Sequence, residues 1–211
     1  MQASLAVVGD RLGVGAWMAT SDWRWLPGAV LLLANRPHTH LAVRRGRGAA
    51  RKAGHTAPEA WEEIAAMTAS TRALLGFVAA VISLLTFHQG AWALLYAAGL
   101  MPVPPYPTQP VPPLGAPLVA SFGFWAGVWG AAFGLALPRL PRAPLWLLGL
   151  GLGLLAVLVL WFVVAPLKGQ PVASGFAPVR MLVGLLIHLA WGLGVGLILT
   201  PLLRGKAAAR A

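Results

Sequence analysis

Four apolar stretches between Arg72 and Leu203 constrain this chain more than any other feature. They run from about Ala73 to Leu100, Leu118 to Leu137, Leu145 to Val164 and Met181 to Leu203. Each reaches the roughly 20 residues needed to cross the hydrocarbon core of a bilayer. Each is rich in Leu, Val, Ala and Gly, and none holds an Asp, Glu, Lys or Arg in its interior, as the cost of placing charge in hydrocarbon demands. The expectation is an all-α integral membrane protein, a four-helix bundle over residues 67–211 with the lipid bilayer as its first partner.

The charge distribution then limits the chemistry. The acidic residues are Asp10, Asp22, Glu59, Glu62 and Glu63, so the 148 residues from 64 to 211 contain no carboxylate side chain. Paired-carboxylate acid/base catalysis, a Ser-His-Asp triad and a carboxylate metal cage each need such an oxygen and are excluded from that region. The chain has no Cys, which removes disulfides, thiolate catalysis and iron–sulfur ligation. His, Ser and Thr without an orienting carboxylate do not assemble an activated nucleophile. A non-enzymatic protein is expected, with no catalytic residues and no resident metal or cofactor.

Orientation follows from the basic residues, because cytoplasmic segments retain the excess of Lys and Arg. Arg44, Arg45, Arg47, Arg51, Lys52 and Arg72 precede the first stretch, Arg139 and Arg142 separate the second and third, and Arg204, Lys206 and Arg210 follow the last. Residues 101–117 carry none, while Lys168 and Arg180 flank the third connection. Both termini are therefore expected in the cytoplasm of a bacterial inner (cytoplasmic) membrane. The net charge of +11 would suggest nucleic acid in a soluble protein. Here the core's share sits mostly at helix ends, and no nucleic-acid partner is expected.

Small residues predict the packing, since helices in lipid associate by close backbone approach. Gly76, Ala80 and Ser83 form one small stripe; Gly123, Gly127, Gly130 and Gly134 a second; Gly149 and Gly153 a third; Gly192 and Gly196 a fourth. Trp129-Gly-Ala-Ala-Phe-Gly134 also lines up with Trp191-Gly-Leu-Gly-Val-Gly196, each closing an apolar stretch before a Pro, Pro138 or Pro201. This is read either as two tandem helical hairpins or as shared composition, with the Pro stopping each helix at the interface. A homo-oligomer or a larger membrane complex is compatible with such surfaces.

Residues 1–66 hold all five acids and half of the basic residues, with no stretch able to span. They are read as a basic, disordered tail. The Arg44–Lys52 cluster is a possible contact for anionic lipid headgroups or nucleic acid, with solvated tail as the plainer reading. A further expectation concerns translation: Trp61-Glu62-Glu63 can be encoded by TGGGAGGAG, a purine-rich ribosome-binding core placed ahead of Met67. A start at Met67 would give 145 residues.

Within the apolar stretches only His88 and His188 are ionisable and deep. Counted from the outer ends at about 1.5 Å per residue, they share a depth near the midplane. Gln89 follows His88, and Ser83 and Thr86 lie within two turns. These five form a candidate intramembrane polar site, for which three readings stay open. The pair could hold one b-type haem, or relay protons or bind a small permeant species. Otherwise each His bonds to Ser, Thr, Gln or a backbone carbonyl and stays neutral. Lys168 and Arg180 are candidates for contact with an anionic lipid headgroup or ligand, or are interfacial cations at helix ends. The Pro-rich residues 101–117 exclude helix and are expected to cap the bundle mouth, with Tyr106 as anchor.

The segments Thr86-Phe-His-Gln-Gly90, Gly99-Leu-Met-Pro102 and Trp161-Phe-Val-Val-Ala-Pro-Leu-Lys-Gly-Gln-Pro171 resemble those of small uncharacterised bacterial inner-membrane proteins with four transmembrane helices. The resemblance covers about Met67 to Leu203. It implies the four-span architecture and no assigned activity, leaving an accessory or structural subunit, or a small-solute pathway, as the expected role.

Overall fold

The structure, a computed structural model, describes residues 57–112 and 114–208. The Arg44–Lys52 cluster lies outside the described residues. Helix α1 spans Ala57–Ala66, and Thr68 then caps α2, its Oγ1 accepting from the Thr71 N–H at 3.3 Å. Helix α2 covers Ala69–Ala97 and includes a π-helical turn at Leu84–His88. A short antiparallel ladder, β1 (Pro110–Val111) on β2 (Ala116–Pro117), precedes α3 (Leu118–Ala136), which ends in a 3-10 turn over Leu137–Arg139. Helix α4 covers Leu145–Leu167 with a π turn at Leu160–Val164, and α5 covers Pro178–Ala208.

Among the described residues these four long helices are sufficiently apolar to cross a membrane, and their mean hydropathy runs from 1.5 to 2.8. The shortest span, 22 residues, is roughly 33 Å long, enough for a hydrocarbon core of about 30 Å. Large apolar side chains point outward, among them Leu74, Val78, Ile82, Leu155, Leu158 and Leu186, while glycines and alanines face inward. An exterior this apolar over the full helix length is soluble only in lipid. The chain is a multi-pass membrane protein built as an all-α bundle.

Two tandem hairpins make up the bundle, and their packing repeats. In the first, a Cβ built on Gly76 of α2 would overlap the Gly130 carbonyl oxygen of α3, and one on Gly130 would overlap the Gly76 oxygen. In the second, Gly149 of α4 and Gly192 of α5 stand in the same reciprocal relation. A Cβ on Gly134 would meet the Arg72 carbonyl, and one on Gly196 the Leu145 carbonyl. The equivalences therefore run 73 residues along from α2 to α4 (Arg72 to Leu145, Gly76 to Gly149) and 62 from α3 to α5 (Gly130 to Gly192, Gly134 to Gly196). Shared composition alone does not reproduce which carbonyl meets which glycine. The hairpins join through α2 against α5, whereas α3 and α4 barely touch.

One expectation needs correction. Residues 57–66 were placed in the tail but form α1, whose Ile64 is buried with Met67 against the bundle core. The helix is held there by Arg72, whose guanidinium donates to the carbonyl oxygens of Ile64 at 3.3 Å, Ala65 at 3.4 Å and Met67. Orphan carbonyls at a helix end take such donors in place of the missing next turn. The shared-composition reading of the repeat, in which a Pro stops each helix, does not hold at Pro201, because α5 continues to Ala208. A Pro removes one backbone donor and crowds the preceding turn, and the helix here tolerates both. Pro138, by contrast, lies in the 3-10 turn that ends α3.

Candidate functional site

Polar groups inside the bundle collect where α2 meets α5. Ser83, fully buried, donates its hydroxyl to the Trp191 carbonyl at 2.6 Å, and the Trp191 Nε1–H donates to the Ala80 carbonyl at 3.1 Å. This reciprocal pair ties the two hairpins together, and the small residues Ala80 and Gly194 leave room for it. Ser83 therefore serves the helix crossing.

One turn further along α2 the π turn changes which side chains face inward. A π turn inserts one extra residue into the helical repeat, and at its end His88 is half-buried while its neighbour Gln89 is 0% exposed. His88 and His188 meet as the shared depth predicts: their ring centroids are 6.0 Å apart and the planes are inclined at 73°. Trp92 of α2 and Phe122 of α3 complete the enclosure, 6.1 and 6.2 Å from the His88 centroid.

Each histidine has a definite partner. His188 Nδ1 lies 2.8 Å from the Gly184 carbonyl, one turn back on α5. His88 Nδ1 lies 3.4 Å from Gln89 Nε2. The Gln89 Oε1 in turn accepts the Tyr106 backbone N–H at 2.7 Å, reaching into the Pro-rich loop. Tyr106 does anchor that loop: its hydroxyl donates to the Leu85 carbonyl at 2.7 Å, and the Trp92 Nε1–H donates to the Val103 carbonyl at 2.9 Å. Within the loop Pro107 and Val111 are buried, Val111 in one apolar cluster with Trp92, Leu118, Val183 and Ile187, so the loop packs on the bundle beside the histidine pair.

The remaining candidates lie elsewhere. Thr86 is exposed and returns its hydroxyl to the Ile82 carbonyl of its own helix at 2.8 Å, so it does not join the site. Lys168 and Arg180 flank the connection between α4 and α5, where burial holds the Lys168 ammonium below its ordinary pKa. Trp92, Phe122 and the Gly184 carbonyl belong to the site although they were absent from the candidate set. Trp92 follows His88 by four residues, a spacing that shares a helix face, and was open to recognition on that basis.

Chemically, the cluster offers two imidazoles, one amide and a wall of aromatic rings. Among the described residues no group of three or more His, Cys, Asp or Glu is placed to hold a metal ion. An apolar groove between α2 and α3, lined by Phe77, Val81, Leu85, Val119 and Phe124 among others, bears no titratable or nucleophilic side chain. No family model matches the chain, nor does any curated protein or solved structure.

Proposed function

We propose that the protein is a non-enzymatic subunit of the bacterial inner membrane, with both termini in the cytoplasm, acting as a compact accessory element of a membrane assembly. The observation that carries this reading is how the interior is filled. Backbones meet at paired glycines, apolar side chains occupy the rest, and the buried polar side chains among the described residues, Ser83 and Gln89, are satisfied within the chain. A conduit needs a polar lumen, and an enzyme needs convergent reactive groups around an opening. The arrangement of basic residues supports the orientation.

The test is the state of the protein in gently solubilised membranes. Membership of one assembly at constant stoichiometry, retained in two unrelated detergents, supports the reading. Recovery solely as a monomer or homo-oligomer refutes it.

A second reading is favoured by the 6.0 Å approach of His88 and His188: the pair would be the working site of a proton relay or small-solute pathway. Replacing both histidines with Ala, under a condition where deletion of the gene has an effect, separates the two. An unchanged phenotype supports the accessory role, and a phenotype matching the deletion supports the histidine site. The haem version is checked by a visible spectrum of protein purified from haem-supplied cells, where the absence of a Soret band removes it.

A further inference from the structure

We propose that Gln89 sets the tautomers of the histidine pair. His88 then presents an Nε2–H donor and His188 an Nε2 lone pair, matching the pair to one small neutral molecule that both donates and accepts, with water the smallest of that class. The bearing on function rests on the histidine-site reading given above as the second.

The Tyr106 backbone N–H can only donate, so the Gln89 atom it meets at 2.7 Å is the amide oxygen. That orients the other end of the amide, an NH2 group that can only donate, toward His88 Nδ1 at 3.4 Å. His88 Nδ1 must then be the lone-pair nitrogen, and in the neutral ring the proton resides on Nε2. The opposite tautomer would set two donors against each other. Gln89 has no escape by rotating its amide, because its NH2 would then face the Tyr106 N–H. At His188 the Gly184 carbonyl can only accept, so the Nδ1 at 2.8 Å carries the proton and Nε2 is the lone pair.

The two rings thus differ in kind although the residues are the same. A metal ion or haem iron bridging them requires a lone pair from both, since metal ligation uses the unprotonated nitrogen. Recruiting His88 through Nε2 would move its proton to Nδ1, against the Gln89 amide. A water molecule or similar amphiprotic species meets no such conflict, because it accepts from His88 and donates to His188. The outer loop takes part in this selection, since its Tyr106 backbone orients Gln89.

The experiment is magic-angle-spinning NMR of the full chain, 15N-labelled at histidine, in lipid bilayers, with assignment by His88→Gln and His188→Gln variants. The expected result is a pyridine-type Nδ1 with a pyrrole-type Nε2 for His88, the reverse for His188, and magnetisation transfer from water to the His88 Nε2–H. Gln89→Glu turns the facing group into an acceptor and is expected to move the His88 proton to Nδ1. Gln89→Leu is expected to give a mixture of tautomers. Identical tautomers in the two wild-type rings, or no transfer from water, overturns the proposal whatever the variants do. The expected tautomers in a protein whose double-Ala histidine variant shows no phenotype would retire the histidine-site reading and leave this inference standing.

Discussion

Replacing Gly192 with Ala probes the paired-glycine crossing of the second hairpin. A Cβ there would lie 2.7 Å from the Gly153 nitrogen and 2.9 Å from the Gly153 Cα, and would overlap the Gly149 carbonyl oxygen. All three are backbone atoms, so no side chain can rotate aside. Ordinary carbon contacts sit at about 3.5–4.0 Å, and α4 and α5 must therefore part by about 1 Å, a gap that forfeits up to half of each neighbouring dispersion contact. Overpacking of this kind costs about 1–3 kcal/mol, against a helix-propensity gain of about 1 kcal/mol for Ala over Gly. The expected net loss is up to about 2 kcal/mol, and the difference from a variant that gains the propensity alone is about 1–3 kcal/mol.

Gly151→Ala is the control. It lies on α4 two residues from Gly149, gains the same propensity, and meets nothing within 4 Å. Reversible unfolding of the purified protein in mixed micelles, titrated with a denaturing detergent, measures both variants. Gly192→Ala should be destabilised and Gly151→Ala should not. Adding Gly149→Ala to Gly192→Ala should cost less than the sum of the two, because one separation of the helices relieves both overlaps. Equal behaviour of Gly192→Ala and Gly151→Ala would refute the packing argument.

Further expectations follow from the hairpin junction, the loop and the topology. Trp191→Phe and Ser83→Ala each remove one buried hydrogen bond between α2 and α5 and should each cost about 1 kcal/mol in the same unfolding titration. Their double variant should depart from additivity, because Trp191 is the partner of both bonds. Tyr106→Phe removes the Leu85 contact and, at about 1 kcal/mol, should raise cleavage of residues 101–117 by an external protease about fivefold. A reporter active only outside the cytoplasm should work when fused at residue 114 and fail at residue 142, as checked by its activity in whole cells.

The four spans were legible because hydropathy over about 20 residues depends on composition rather than on tertiary detail. The repeat was legible through Trp-Gly-x-x-x-Gly, where the residues that match are those the helix crossing uses. The π turns were not, since Leu84–His88 and Leu160–Val164 contain no Pro or Gly to announce them. That omission explains one misplacement in the candidate site. Ser83 and Thr86 are three apart, which in an unbroken α-helix puts them on neighbouring positions of one face. Ser83 is nevertheless buried and Thr86 exposed on either side of the π turn's start. The link from Gln89 to Tyr106 was equally hidden, because it joins a helix to a Pro-rich loop that follows neither helical nor strand periodicity. Helix α1 escaped notice because ten residues with three acids look like tail until Ile64 is buried against the bundle.

The two deep histidines of this bundle face each other across α2 and α5. The direct measurement is a carbon–carbon correlation spectrum of histidine-labelled protein in bilayers, in which rings 6.0 Å apart exchange magnetisation. A cross-peak between His88 and His188 that disappears in His188→Gln is the predicted result. Its absence, with each ring seen individually, would place the histidines on separate faces and rule out the pairing.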